Sequence, residues 1–192
     1  MKKIIGLFFL VMFAHVGKAQ VYMKPHFGGK VGMTSGYTTY SPKDTNTIFR
    51  FKTDLHLGVF YRMRNEKWVF QPELLYIVKG GTWKRPREIV FNNYNYVSFL
   101  PVLGYIATEG MTFEVAPEIS YALNTPSSYG PPKRNDFSVM IGARYDFLDM
   151  LEDFSLNVRY MHGFANITDK ANLTMHNRSF SISMIYNMYK KK

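Results

Sequence analysis

The chain has no cysteine among its 192 residues. That excludes disulfides and a lipidated N-terminal cysteine, so stability rests on packing and hydrogen bonding. Beyond the N-terminus no segment reaches the ~20 consecutive apolar residues of a membrane-spanning helix. A mature chain that enters a membrane must therefore cross it with strands, because lipid tolerates only helices and closed barrels. Acids are scarce: 14 Asp and Glu stand against 24 Lys and Arg, for a net charge of +10. Basic charge can mark a nucleic-acid partner, but the N-terminus points to export, where a protein rarely meets one.

What is present begins with MKKIIGLFFLVMFAHVGKAQ. Lys2 and Lys3 make a positive n-region, Ile4 to Ala14 an apolar run, and Gly17-Lys18-Ala19 a small-residue cleavage site. This is the pattern of a cleaved secretory signal peptide over residues 1–19, too short and wrongly flanked for an anchor. Residues 20–192 then form one domain. Losing Lys2, Lys3 and Lys18 leaves a charge of 21 − 14 = +7.

The stretch Trp68 to Lys84 sets the pattern for the rest. Phe70, Pro72, Leu74, Tyr76 and Val78 form one alternating face, and Gln71, Glu73, Leu75, Ile77 and Lys79 the other. A strand sends alternate side chains to opposite faces, so this one meets lipid on one side and a polar enclosure on the other. Strands are expected near 22–36, 49–62, 68–81, 94–106, 111–124, 135–148, 154–166 and 178–189. Long polar connections (37–48, 82–93, 125–134, 167–177) alternate with short ones (63–67, 107–110, 149–153). Short periplasmic turns, longer outer loops and an even strand count are the marks of outer-membrane barrels. The fold class expected is all-β: an eight-stranded antiparallel up-and-down transmembrane barrel. Sixteen Phe and 14 Tyr suit it, since aromatics favour strands and membrane interfaces.

Alternation places Arg50, Lys52, Asp54, His56 and Arg62 opposite Phe51, Leu55, Leu57, Val59 and Tyr61. It turns Glu114 and Glu118, then Asp136, Arg144 and Asp146, then Arg159, away from the aromatics of their own strands. With Glu73 and Lys79 these form a lumen charge network, because an unpaired buried charge is too costly to keep. Residues 94–106 are apolar on both faces, so their parity stays open. Pro72-Glu73 and Pro117-Glu118 recur 45 residues apart, one up-and-down unit, which is expected to set both glutamates inward at similar depth on strands of the same direction. Bulges are expected at Pro72 and Pro117, and also at Pro25 and Pro101, because a strand proline removes a ladder bond.

Further pieces carry a resemblance: Gly28-Gly29-Lys30-Val31-Gly32, Gln71-Pro72-Glu73-Leu74 with Lys79-Gly80, and Phe99-Leu100-Pro101-Val102-Leu103. Asn135-Asp136 through Gly142, then Tyr160, Gly163 and Asn166-Ile167, extend it across nearly the whole mature chain. Together they resemble the PorT-like family of small outer-membrane barrels. Phe99 departs from it, standing where many relatives carry an acid. The resemblance implies an eight-stranded outer-membrane barrel and, from its name-giving member, a link to a protein-secretion machine.

Functional readings follow from the two faces. The leading one is a non-enzymatic outer-membrane barrel with a plugged polar lumen and a structural, surface or secretion-accessory role. Its partners would be outer-membrane lipid and secretion-machinery proteins, with no cofactor. A soluble lipocalin-like carrier would need an apolar interior, the reverse of this pattern. A narrow pore would favour lumen charges of one sign, whereas bases and acids are here matched. His26 and His56 read inward on neighbouring strands and raise a metal or acid–base idea, but a site needs a third clustered ligand. They read better as hydrogen-bonded lumen histidines. His162 reads outward, where a lipid-modifying enzyme would keep a base, without an evident serine partner. Lys84, Arg85, Arg87, Lys133 and Arg134 form a basic outer rim suited to glycolipid phosphates. Lys190-Lys191-Lys192 would lie in the periplasm.

Overall fold

In a computed structural model the protein is described over residues 25–41, 48–86, 88–124, 133–147, 151, 153–169 and 172–189. The expected signal peptide, Arg87 and the terminal lysines lie outside these residues. The strands are β1 (His26–Ser41), β2 (Ile48–Arg50), β3 (Lys52–Asn65), β4 (Trp68–Lys79), β5 (Thr82–Arg85) and β6 (Glu88–Phe91). They continue as β7 (Tyr94–Thr108), β8 (Met111–Ala122), β9 (Asn135–Asp146), β10 (Phe154–Gly163) and β11 (Thr174–Met188). Eight of them close an antiparallel barrel in the order β1-β11-β10-β9-β8-β7-β4-β3, and β2-β5-β6 make a separate small sheet.

The alternation seen in the sequence decides which way each strand turns. On β8, Thr112, Glu114, Ala116, Glu118 and Ser120 are buried, while Phe113, Val115, Ile119 and Tyr121 are exposed. On β11, buried Asn177, Ser179, Ser181 and Ser183 alternate with exposed Phe180, Ile182 and Met184. Large apolar side chains thus cover the outside, as a lipid-facing wall requires. Closure leaves no sheet edge within that wall.

Ring contacts cluster at both rims. Trp68–Tyr105 (5.2 Å), Phe27–Tyr61 (4.7 Å) and Phe154–Tyr186 (5.3 Å) lie beside the short-turn end. Tyr37–Phe51 (4.7 Å) and His162–Phe164 (4.8 Å) lie at the other. These match the paired aromatic girdles of outer-membrane barrels. The tight turns there put Glu66 at φ 49° and Gly110 at φ 81°.

The structure corrects several expectations. The second predicted strand breaks at Phe51, so Arg50 belongs to the small sheet, where it is exposed, and not to the lumen. The predicted loop 82–93 contains the β5–β6 hairpin. Its buried Val90 and half-buried Trp83, which packs against the lumen's apolar core, face inward together. The kink into this sheet needs Gly80, at φ +116° with a Cβ position only 2.2 Å from the Asn92 carbonyl oxygen. The open parity of residues 94–106 resolves with Tyr94, Tyr96, Ser98, Leu100 and Val102 inward and Phe99, Leu103 and Tyr105 outward.

The prolines do not make bulges. Pro72 stands directly opposite Pro101 in an unbroken β4–β7 register, and Pro117 opposite Val139 in an unbroken β8–β9 register. Pro25 precedes β1 and lies outside the ladder. Between β7 and β8 the pairing skips Leu100–Val102 without shifting, and the irregularity falls instead at Ile106–Thr108, beside the turn. The β3–β4 ladder likewise skips the pairs beside Pro72 and keeps its register. A missing N–H here leaves a bond unmade and does not displace the strand.

Candidate functional site

The lumen holds the polar chemistry, because every strand's inward face converges there. Its inward residues fall into two groups at different heights, and Glu73 and Glu118, expected at similar depth, belong to different groups.

Toward the short-turn end, Glu73 on β4 is the centre of a dense cluster. Arg159 on β10 reaches across the barrel and grips it with two parallel bonds, Nη1 to Oε2 and Nη2 to Oε1, both 2.7 Å. Lys30 on β1 donates to Oε2 at 2.8 Å and Gln71 Nε2 to Oε1 at 2.6 Å. The same Arg159 bonds Glu114 Oε2 through Nη2 at 2.6 Å and Nε at 3.0 Å, and Asn157 adds a third donor at 2.9 Å. Fork-like guanidinium bonds to carboxylates are the strong class of hydrogen bond. They also fix the distance between opposite walls.

Just below, Arg144 donates to Asp146 Oδ1 (2.6 Å), Gln71 Oε1 (3.0 Å), Ser155 Oγ (3.0 Å) and Asn187 Oδ1 (2.7 Å). Arg62 donates to Gln71 Oε1 at 3.1 Å and Thr112 Oγ1 at 3.3 Å, and stands 3.7 Å from Asp146 Oδ2. Glu73, Arg144 and Arg159 are each no more than 2% exposed.

Toward the outer end, Lys79 on β4 lies between Glu118 on β8 (3.1 Å) and Asp136 on β9 (3.2 Å). It donates to Ser120 Oγ at 3.1 Å and sits 5.1 Å from the Tyr96 ring centre. Asn177 Nδ2 donates to Asp136 Oδ2 at 2.9 Å. More oxygens are left over here than in the inner group, where Glu114 Oε1 and Asn157 Oδ1 are unpartnered: both Glu118 carboxylate oxygens, Asp136 Oδ1 and Asn177 Oδ1 accept no hydrogen bond. The 3.1 Å approach of Lys79 to Glu118 is an ion contact without hydrogen-bond geometry. Leu75, Leu100, Val102, Ala116 and Met140 belong to the apolar core shared by the same interior.

The remaining sequence candidates separate. Lys52 and Asp54 pair with each other in a half-buried position. His26 and His56 are not neighbours: His26 registers opposite Arg62, six residues along β3 from His56, which is about 20 Å. His26 Nε2 lies 3.3 Å from Asn187 Oδ1. His56 bonds the hydroxyls of Thr34 and Ser183, both at 2.8 Å. His162 lies 3.3 Å from the Tyr160 hydroxyl. Lys84, Lys133 and Arg134 are exposed at the outer rim, and Arg134 donates to the Tyr121 hydroxyl at 3.1 Å. Arg85 lies on β5, and Arg87 is outside the described residues.

Sequence reasoning missed Lys30, Gln71 and Asn157 as cluster members. For Lys30 the signal was available, since it alternates with exposed Phe27, Val31 and Met33. Gln71 and Asn157 are uncharged, and a search for ions passes over them.

A search of curated proteins finds no match. Among solved structures the chain is similar to a de novo designed transmembrane β-barrel, at 15% identity and a TM-score of 0.45, covering 86% of this chain and 98% of that one. It is also similar to Neisserial surface protein A, at 10% identity and a TM-score of 0.48, covering 86% of this chain and all of that one. The model of the outer membrane protein beta-barrel domain matches residues 19–169. With its closed eight-stranded wall and lipid-facing exterior, the chain belongs to the outer-membrane β-barrel domain family.

Proposed function

We propose that this protein is a non-enzymatic outer-membrane barrel whose lumen is plugged by its own side chains and which serves a structural or surface role. The observation that carries this reading is the Arg159 clamp, which ties β10 to Glu73 on β4 and Glu114 on β8 across the lumen. An eight-stranded barrel is just wide enough for side chains to fill, and these fill it with bonded ions. The charges are also nearly matched. The inner cluster sets Lys30, Arg62, Arg144 and Arg159 against Glu73, Glu114 and Asp146, an excess of one base. The outer cluster sets Lys79 against Glu118 and Asp136, an excess of one acid. Such a lumen favours neither cations nor anions. A ligand carrier is disfavoured because the apolar faces point outward.

The test is conductance of the full-length protein in planar bilayers. No steady channel is expected, and a reproducible open state would overturn the plug. The finer form of this reading, an accessory to a secretion machine, is supported by the PorT-like resemblance. Partners co-purifying from detergent-solubilised outer membranes would favour it; a lone heat-modifiable barrel would leave the surface role.

A further inference from the structure

We infer that the outer face of the β2-β5-β6 sheet binds a phosphorylated lipid of the outer leaflet, an inference that rests on the outer-membrane placement of the barrel. The order of this sheet repeats that of the strands beneath it. β2 enters β3 across Phe51, β4 enters β5 across Gly80 and Gly81, and β6 enters β7 across Asn92 and Asn93. Phe51 is 63% exposed and meets Tyr37 edge-to-face in the outer aromatic rim. The sheet therefore starts at the height where lipid headgroups begin.

Its two faces differ. Trp83 and Val90 turn inward together. The other face carries Ile48, Lys84 and Ile89 in one cross-strand row and Arg50, Thr82 and Phe91 in the next. Ile48, Ile89 and Phe91 are 57–63% exposed, large apolar side chains above the hydrocarbon band. Arg50 and Lys84 are exposed among them, and no described acid shares that face. They are diagonal neighbours, so their Cα atoms lie about 7–8 Å apart, a span one phosphate can bridge with charge-assisted bonds. An acyl chain would then lie on Ile48, Ile89 and Phe91. Arg134, held against the rim by Tyr121, adds a further cation at the same end of the barrel. Cationic heads beside apolar side chains match a phosphorylated amphiphile in both parts; a free anion would use only the cations.

The experiment uses the full-length protein in a zwitterionic detergent, with a bisphosphorylated acylated glucosamine disaccharide as probe and native mass spectrometry as readout. Retained lipid adducts are expected. The R50E/K84E double variant should weaken binding about tenfold or more, and the conservative R50K/K84R variant should restore most of it. Because these side chains lie outside the barrel wall, a heat-modifiable band should persist in both variants, which separates loss of the site from loss of the fold. Equal binding of the dephosphorylated lipid, unchanged binding by R50E/K84E, or full competition by inorganic pyrophosphate would each overturn the proposal. A folded, non-conducting barrel that failed these tests would overturn it and leave the plugged-barrel reading standing.

Discussion

The two charge clusters of the lumen solve the same problem with different completeness. The inner one surrounds Glu73 with an arginine fork, a lysine and an amide that use both Glu73 oxygens, and leaves two acceptors, Glu114 Oε1 and Asn157 Oδ1, unpartnered. The outer one gives a single lysine to two acids and leaves four acceptor oxygens of Glu118, Asp136 and Asn177 unpartnered. Arginine accounts for the difference. Its planar fork satisfies several oxygens at fixed geometry, whereas an ammonium acts as a point charge. The inner cluster thus fastens opposite walls, and the outer one balances charge beneath the small sheet.

Substitutions can break this contrast or sharpen it. Glu73→Ala strands Arg159 and Lys30 together and should cost about 3–5 kcal/mol, read by urea unfolding followed through tryptophan fluorescence in micelles. A loss below about 1 kcal/mol, the range of an exposed pair, would remove the distinction. Lys79→Met leaves Glu118 and Asp136 facing each other and should cost about 3 kcal/mol in the same titration, less than the Glu73 variant. Glu118→Gln removes one of two acids competing for that lysine and should change stability by no more than about 1 kcal/mol. A cost matching that of Glu73→Ala would show the two clusters to be equivalent. The smallest effect is expected at Thr34→Val, which takes one hydroxyl partner from His56 and should cost about 1 kcal/mol or less, with the heat-modifiable band retained on gels.

Much of this was legible in the sequence because lipid demands strict alternation. Leu55, Leu57 and Val59 could face only outward once Asp54, His56 and Arg62 were interleaved with them. The break at Phe51 was not legible. An exposed aromatic fits the lipid face whether or not the strand continues past it, and so Arg50 followed its neighbours into the wrong compartment. Residues 82–91 read as a loop because Lys84, Arg85 and Pro86 outweigh the short alternation of Trp83 and Val90. The partners within the lumen were hidden for another reason. Period-two reading gives the face of a side chain but not its height, so it could not assign Arg159 to Glu73 or set His26 apart from His56.

Pro72, Pro101 and Pro117 stand side by side across β4, β7 and β8, the first two directly opposed and the third opposite Pro101 by the flanking register. Along that row the wall has no amide hydrogens to give, at a depth where water cannot supply any. Mechanically, the β7–β8 joint is a perforation: a line along which adjoining strands keep their alignment while sharing fewer fasteners. A barrel pulled apart strand by strand should tear there before it tears at β1–β11, whose ladder runs without interruption from Phe27 to Ser41.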